Sequence, residues 1–426
     1  MLPSHVSLVV AGGGPAGFMA AITAAEARLA SGVPGAVLVL EATPEPLHKV
    51  LISGGGRCNV THACWDPLAL VGHYPRGGKA LRGPFSRFAA AEAVDWFNRR
   101  GLTLVQEADG RLFPSSQRSS SVVDTLRREA SRLGVLLLTG EALQAAAALP
   151  AGGFQLRLRS GAQLRSDRLL LATGSHPSGH RLAAALGHTV VPPVPSLFTL
   201  RLVDHPLVDL AGVVMDPAGL ELTLAGSSPK RHRQSGPLLI THWGLSGPTV
   251  LRLTAFAARD LKQAAYRGEL KVDWSGGRSL SELQDLFAEL RRDQARKQMT
   301  NARPWPELSR RLWLHLLERL GIDGELRWAD LGRRPQEALI EALRASRYAV
   351  AGRGPFGEEF VTAGGVALGE VNLATMESRR QAGLYLAGEI LDVDGVTGGF
   401  NFQHCWSSGW LAGQAIAAAD PGTNGG

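Results

Sequence analysis

Cysteine is scarce in this chain of 426 residues: Cys58, Cys64 and Cys405 are three in number, with no CxxC pair and no zinc-ligand spacing. That excludes a disulfide framework, and no metal site is expected. No apolar stretch approaches the length of a membrane span, so no membrane partner is expected. The first residues run into a strand-like segment without a charged n-region or a cleavage site, and the expected location is cytoplasmic. Aromatic residues make up 6% of the chain, and nothing resembles an aromatic-rich RNA-binding sheet or a recognition-helix module. What remains, 45% hydrophobic and 19% charged, describes an ordinary globular protein long enough for two or three domains. The net charge of +7 favours encounter with anions: a dinucleotide, an acidic metabolite or nucleic acid. The basic runs Lys230–Arg233 and Arg291–Lys297 read as solvated faces, and a nucleic-acid partner is not expected from them. Nothing in the sequence specifies an oligomeric state.

The most informative segment is Val6–Gly17. An apolar run ends in Gly12-x-Gly14-x-x-Gly17, and Phe18, Ala21, Ile22, Ala25 and Leu29 then recur on one helical face. Glycine at the first position permits the tight turn. At the second it lets the backbone approach a pyrophosphate, and at the third it lets helix and strand pack closely. Gly12, Gly14, Pro15, Ala16 and Gly17 are therefore candidate cofactor-binding residues, with the helix N-terminus facing the phosphates. A second strand, Ala36–Leu40, delivers Glu41 at the usual distance for a ribose hydroxyl.

An irregular stretch follows, from His48 to about Arg87, then helical patterns near Ala89–Arg100 and Ser120–Leu133. Strand-like runs at Val135–Leu138, Phe154–Leu158 and Arg168–Leu171 lead into Thr173-Gly174. Pro192, Pro193 and Pro195 suggest a boundary. Short strands with turns occupy roughly 196–272. A capping box at Ser279 and Glu282 opens a helical block, with further helices near Leu308–Leu320 and Pro335–Ala345. The expected organisation is a first part of a dinucleotide-binding domain over 1–191, a β-rich insert over 192–272, a helical subdomain over 273–347 and a returning part over 348–426.

Further glycine clusters fit one large cofactor crossing that domain. Ser53, Gly54, Gly55, Gly56, Arg57, Cys58 and Asn59 offer amides, a cation and small polar side chains in one loop, and Lys49 just before it is counted with them. Near the C-terminus a strand delivers Gly388 and Glu389; Asp392, Asp394, Gly398, Gly399, Phe400 and Asn401 lead into a small-residue helix. An acid there can accept hydrogen bonds from a ribityl chain, and the helix N-terminus can stabilise charge on a reduced flavin. A dinucleotide with two polar ends and a ring between them is FAD. Gly352-Arg353-Gly354-Pro355-Phe356-Gly357 also fits GxGxxG, but Glu358 follows and no amphipathic helix does, so it reads as chance. NADH or NADPH is then expected only as a transient electron donor.

The chain resembles the BaiN-like, or aminoacetone-oxidase-like, FAD flavoproteins over nearly its whole length. The resemblance rests on the Gly12–Gly17 turn, the 53–59 loop with Val60 and Thr61, Gly110-Arg111-Leu112-Phe113-Pro114, and Thr241-His242 with Gly244-Leu245-Ser246-Gly247-Pro248. It continues through Gly364-Gly365-Val366, Thr375-Met376-Glu377-Ser378, and the segment from Gly388-Glu389 to Asn401. It implies an α/β fold: a two-dinucleotide-binding-type FAD domain with a Rossmann-like βαβ unit, interrupted by a β-barrel-like domain and a helical subdomain. It also implies FAD along the residues named above, with the backbone of Ala142 beside adenine. Three positions depart from the family pattern. Phe400 stands where Tyr is expected, His404 where an apolar residue is expected, and Ser175 where a second glycine is expected.

The expected activity is that of an FAD-dependent oxidoreductase exchanging a hydride or electrons with a small organic substrate. Candidate catalytic residues are His242, aimed by its Gly-Leu-Ser-Gly-Pro turn, Cys58, helped by Arg57, and His404 on the last helix. The alternatives are a basic FAD protein that acts on or binds RNA, and a flavin redox sensor without turnover.

Overall fold

The apolar run of Val6 to Ala11 has no polar face to turn to water, and it becomes a central strand, His5–Ala11, buried on both sides. In this computed structural model, described for residues 3–33, 35–224, 230–354 and 361–419, that strand pairs in parallel with Val37–Glu41 and with Gln163–Leu171. Leu136–Thr139 extends the sheet on one side and Leu384–Leu386 on the other. The helix Pro15–Ala30 starts at the C-terminal edge of the central strand, as the glycine spacing requires.

The C-terminal helix, Phe400–Ala418, packs along that first helix almost backbone to backbone. A Cβ on Gly409 would lie 2.5 Å from the Ala16 carbonyl, and one on Gly413 would lie 2.6 Å from the Ala20 carbonyl. Both contacts advance four residues along each helix, so the two helices run parallel.

The chain divides into two compact units, Met1–Pro193 with Thr362–Gly426, and Val194–Val361. The second unit is built on a closed barrel of six strands, ordered 200–202, 244–246, 230–240, 214–224, 268–273 and 346–353. Along Val214–Leu224, Met215, Ala218, Leu220, Leu222 and Leu224 turn inward, and the residues between them turn out. Helices Leu280–Asp293, Arg310–Arg319 and Arg333–Ala345 share one core with the barrel through Trp274, Phe287, Trp313 and Trp328.

The structure differs from the sequence reading in three places. The supposed helical subdomain of 273–347 has no core separate from that of the β-rich insert. The strand Ser346–Arg353 closes the barrel, so the chain returns to the first unit near 362 rather than 348. A 16-residue helix, Pro248–Gln263, lies within the segment read as strands and turns; Pro248 at its first turn resembles a turn signal but suits a helix start equally well.

Candidate functional site

At the first glycine turn each glycine has its own reason. Gly12 has φ +115°, and a Cβ there would meet the Ala172 carbonyl at 2.3 Å. A Cβ on Gly17 would lie 2.0 Å from the Gly12 carbonyl, which is the close strand–helix packing the motif predicts. Gly14 is different: nothing lies within 4 Å of its Cβ position, so its face is open. It is the N-cap of the first helix, with no capping side chain and no acid in the first turn. Glu41 accepts the Gly13 N–H at 2.9 Å on one oxygen, and the Thr43 N–H and hydroxyl at 2.8 Å each on the other. Gly13, unremarked in the sequence pattern, admits that carboxylate, since its Cβ would sit 2.9 Å from Glu41 Cβ.

The loop of Ser53 to Asn59 continues from the helix His48–Gly56, which loses helical geometry at Ser53. Gly54, Gly55 and Gly56 all take positive φ, and Gly55 and Gly56 have open space before them. Lys49 donates to Glu389 at 2.7 Å, which joins this loop to the C-terminal segment and raises the lysine pKa. Gly174, with φ +62°, lies beside the same Glu389 carboxylate. Arg57 turns elsewhere: its guanidinium donates to Glu107 at 2.6 Å and to Gln117 at 3.1 Å, and lies over Phe113. The Cys58 thiol is fully buried, and burial pushes its pKa up to about 12. It is a packed small residue, with neither the thiolate nor the neighbouring cation a nucleophile needs.

Among the described residues, the buried Asn59 Oδ1 and Thr173 Oγ1 have no hydrogen-bond partner. The backbone of Ala142 is already engaged, its N–H with Glu141 and its carbonyl with the Arg159 N–H.

The C-terminal half of the site is the start of the last helix. Gly398 and Gly399 have φ +121° and +92°, and the helix opens with no capping side chain and no acid in its first turn. Trp406 donates its indole N–H to the Val60 carbonyl at 2.9 Å, and Thr61 donates its hydroxyl to Gln403 at 2.6 Å. The segment of Asn59 to His62 therefore lies against this helix, and Asn59 Oδ1 is 2.8 Å from where a Gly399 Cβ would be. Asn401 locks the preceding turn through Gly395, accepting its N–H at 2.8 Å and donating to its carbonyl at 2.9 Å. Asp394, expected to accept from the cofactor, is instead fully buried with both oxygens on Arg76.

The three catalytic candidates have different surroundings. His404 is buried under the Gly388 carbonyl, to which its Nε2–H donates at 3.3 Å, and burial lowers its pKa to about 4. It is a neutral core histidine. His242 is exposed at a tight hairpin of the barrel, in the second unit. The sequence reading missed His62 and His73, whose rings stack with Phe400 at centroid distances of 4.8 and 4.1 Å. No spacing signals them, because Phe400 is distant in sequence.

Because Gly409 lies on Ala16 in a parallel pair, the two open helix ends, at Gly14 and Gly399, face the same way. The offset between them is about eight residues, or about 12 Å of helix. Between them stand Gly388, whose Cβ position is 2.8 Å from Ala16 Cβ, and Glu389. Such an arrangement accepts negative charge at two separated points.

The model of the HI0933-like protein Rossmann domain matches residues 6–415. The chain belongs to this family. It is an FAD-dependent oxidoreductase. It is 32% identical to a 3-dehydro-bile acid delta(4,6)-reductase of Clostridium scindens, over 96% of this chain and 98% of that protein. It is 31% identical to a ribosomal RNA dihydrouridine synthase of Escherichia coli, again over 96% and 98%. Among solved structures, a 3-ketosteroid delta1-dehydrogenase of Sterolibacterium denitrificans shares the fold at TM-score 0.51 and 11% identity, covering 98% of this chain and all of that one. Among the described residues no helix is long and apolar enough to cross a membrane, and no cluster of three or more potential metal ligands occurs.

Proposed function

We propose that the protein holds FAD along the open glycine track of its first unit and reduces a carbon–carbon double bond conjugated to a carbonyl in a small organic substrate. The observation that carries the cofactor reading is the pair of parallel, uncapped helix ends at Gly14 and Gly399. The donor set fits the molecule. Gly14 and the amides after it suit the pyrophosphate, and Glu41 retains acceptor capacity for ribose hydroxyls. Gly174, Lys49 and Glu389 stand together in the middle, with the Thr173 backbone just before Gly174. At the far end the Gly398–Asn401 amides would donate to an acceptor on the ring, with Asn59 beside Gly399 as a further polar group there. The first open helix end stabilises negative charge on phosphates, and the second stabilises it on the pyrimidine side of a ring. Bound there, FAD supplies hydride chemistry that no side chain carries. Asp394 supports the site indirectly, by fixing Arg76 before the Gly398 turn, and Cys58 by filling space.

The bond type is supported by what the two relatives' names have in common. A 3-keto delta(4,6) steroid and the uracil ring of uridine both carry a double bond conjugated to a carbonyl. Charge favours the small substrate over RNA, because in the run Lys230–Arg233, Lys230 and His232 bond Asp260 and Arg233 bonds Glu221. The RNA reading retains the Escherichia coli relative and the net charge of +7 in its favour. NADH or NADPH is proposed as a transient donor.

The test is anaerobic. The purified protein is expected to show flavin absorption that bleaches with NADH or NADPH and returns on adding 4-androstene-3,17-dione. No flavin uptake at all would overturn the reading. Return of colour only with ribosomal RNA would favour the RNA alternative, and bleaching too slow for turnover with either nucleotide would favour a redox sensor.

A further inference from the structure

One pair of side chains near the start of the last helix, His62 and His73, is not among the proposed cofactor contacts. His62, His73 and Phe400 form a cluster of nearly parallel rings, with interplanar angles of 20° and 9° to Phe400 and 29° between the imidazoles. Phe400 is 2% exposed, whereas both histidines are half-buried. Phe400 is thus the buried base of the cluster, and the two histidines are its partly exposed members.

Each ring is fixed from behind. His62 donates Nε2–H to the Asp109 carbonyl at 3.1 Å, which sets its tautomer and leaves Nδ1 as a bare acceptor without a partner among the described residues. Gly110 packs on the edge of that ring, and Gly398 lies near its Cδ2. His73 accepts the Val396 N–H on its backbone carbonyl at 2.9 Å, which ties it to the turn before the helix. Tyr74 donates to the Phe400 carbonyl at 2.6 Å and holds the base. Burial lowers the His62 pKa, so the ring presents an uncharged plane at neutral pH. Planar faces held this rigidly bind flat, conjugated rings at small entropic cost.

We propose that His62 and His73, backed by Phe400, are the positioning residues that hold the flat conjugated ring of the substrate beside the open end of the last helix. This inference rests on the reductase reading above.

The test compares the double variant His62→Leu/His73→Leu with His62→Phe/His73→Phe, each loaded with FAD and kept oxidised. The proteins are titrated with 4-androstene-3,17-dione and read by the shift in flavin absorption, with flavin content and melting temperature measured alongside. The expected result is affinity about tenfold weaker for the leucine pair, within about twofold of the parent for the phenylalanine pair, and equal flavin content in all three. Unchanged affinity in the leucine pair overturns this inference and leaves the reductase reading intact. Absence of any enone binding by the flavin-loaded parent overturns both. If the leucine pair does not fold, the phenylalanine pair decides: a tenfold loss there overturns stacking, and parental affinity supports it.

Discussion

The two units of this chain solve the same folding problem in opposite ways. In the second, the helix Leu280–Asp293 is closed by its own residues: Ser279 accepts the Glu282 N–H at 3.2 Å, and Glu282 accepts the Ser279 N–H at 2.7 Å. Its core is filled by bulky rings, with Trp313 and Trp328 stacked at 6.1 Å and their indoles donating to the carbonyls of Met299 and Ala302. In the first, the two longest helices begin at Gly14 and Gly399 with no capping side chain and no acid in the first turn, and they pack through Gly409 and Gly413 rather than large side chains. A helix end left uncapped forgoes about 1 kcal/mol of capping. Two parallel ends of this kind leave backbone N–H groups that an anionic ligand can satisfy. Stability is collected in the barrel unit, and binding in the glycine-lined one.

The sharpest way to break this contrast is at Gly12. Gly12→Val places side-chain atoms on the Ala172 carbonyl at a positive φ, and more than about 3 kcal/mol should be lost, seen as loss of the first unit's melting transition and of all flavin absorption. Gly14→Ala is its control. With open space at that Cβ, the melting transition should move little, while FAD affinity falls about tenfold. Equal behaviour of the two variants would mean that the turn serves folding alone. In the second unit, Trp328→Ala should cost about 3–5 kcal/mol in thermal or denaturant unfolding, with flavin content of the folded protein unchanged.

Acidification probes the first unit's core. The unfolded chain takes up a proton on His404 below its ordinary pKa of 6.5, and the folded chain refuses it until about pH 4. Stability therefore falls as pH drops from 6.5 toward 4, by at most about 3 kcal/mol from this residue. His404→Gln should flatten that part of the profile in denaturant titrations; an unchanged slope would show that the ring is not excluded from protonation. The smallest effect is expected at Ser279→Ala, about 1 kcal/mol from the second unit's transition with no change in FAD affinity.

The residues that were legible in sequence are those whose partners lie close along the chain. The Gly12–Gly17 turn and Glu41 belong to one βαβ unit, and the Ser279–Glu282 capping box spans a single turn, so local spacing carries them. The C-terminal Gly398–Asn401 segment was readable because an apolar strand and a small-residue helix bracket it. What lacked local signal was misread. The strand Lys230–Ile240 opens with four basic or histidine residues, yet it pairs along Val214–Leu224, where Glu221 lies opposite Arg233. The helix Pro248–Gln263 was hidden by the Gly-Pro that starts it.

The functional detail divides in the same way. Composition and glycine spacing alone determine that the first unit receives a dinucleotide-like anion, because backbone conformation at φ above zero and close approach to a helix end leave few other residue choices. Only the tertiary structure decides which polar groups remain available once the fold has used the rest. Asp394 and Arg57 are consumed by Arg76 and Glu107, Cys58 and His404 are buried and neutral, and Asn59 Oδ1 is buried without a partner among the described residues. His62 and His73 meet Phe400 only because Trp406 and Gln403 bind Val60 and Thr61 to the last helix across more than 300 residues of chain. Hydrogen bonds and ring contacts between segments so far apart follow from the packing of the whole unit, which no local pattern encodes.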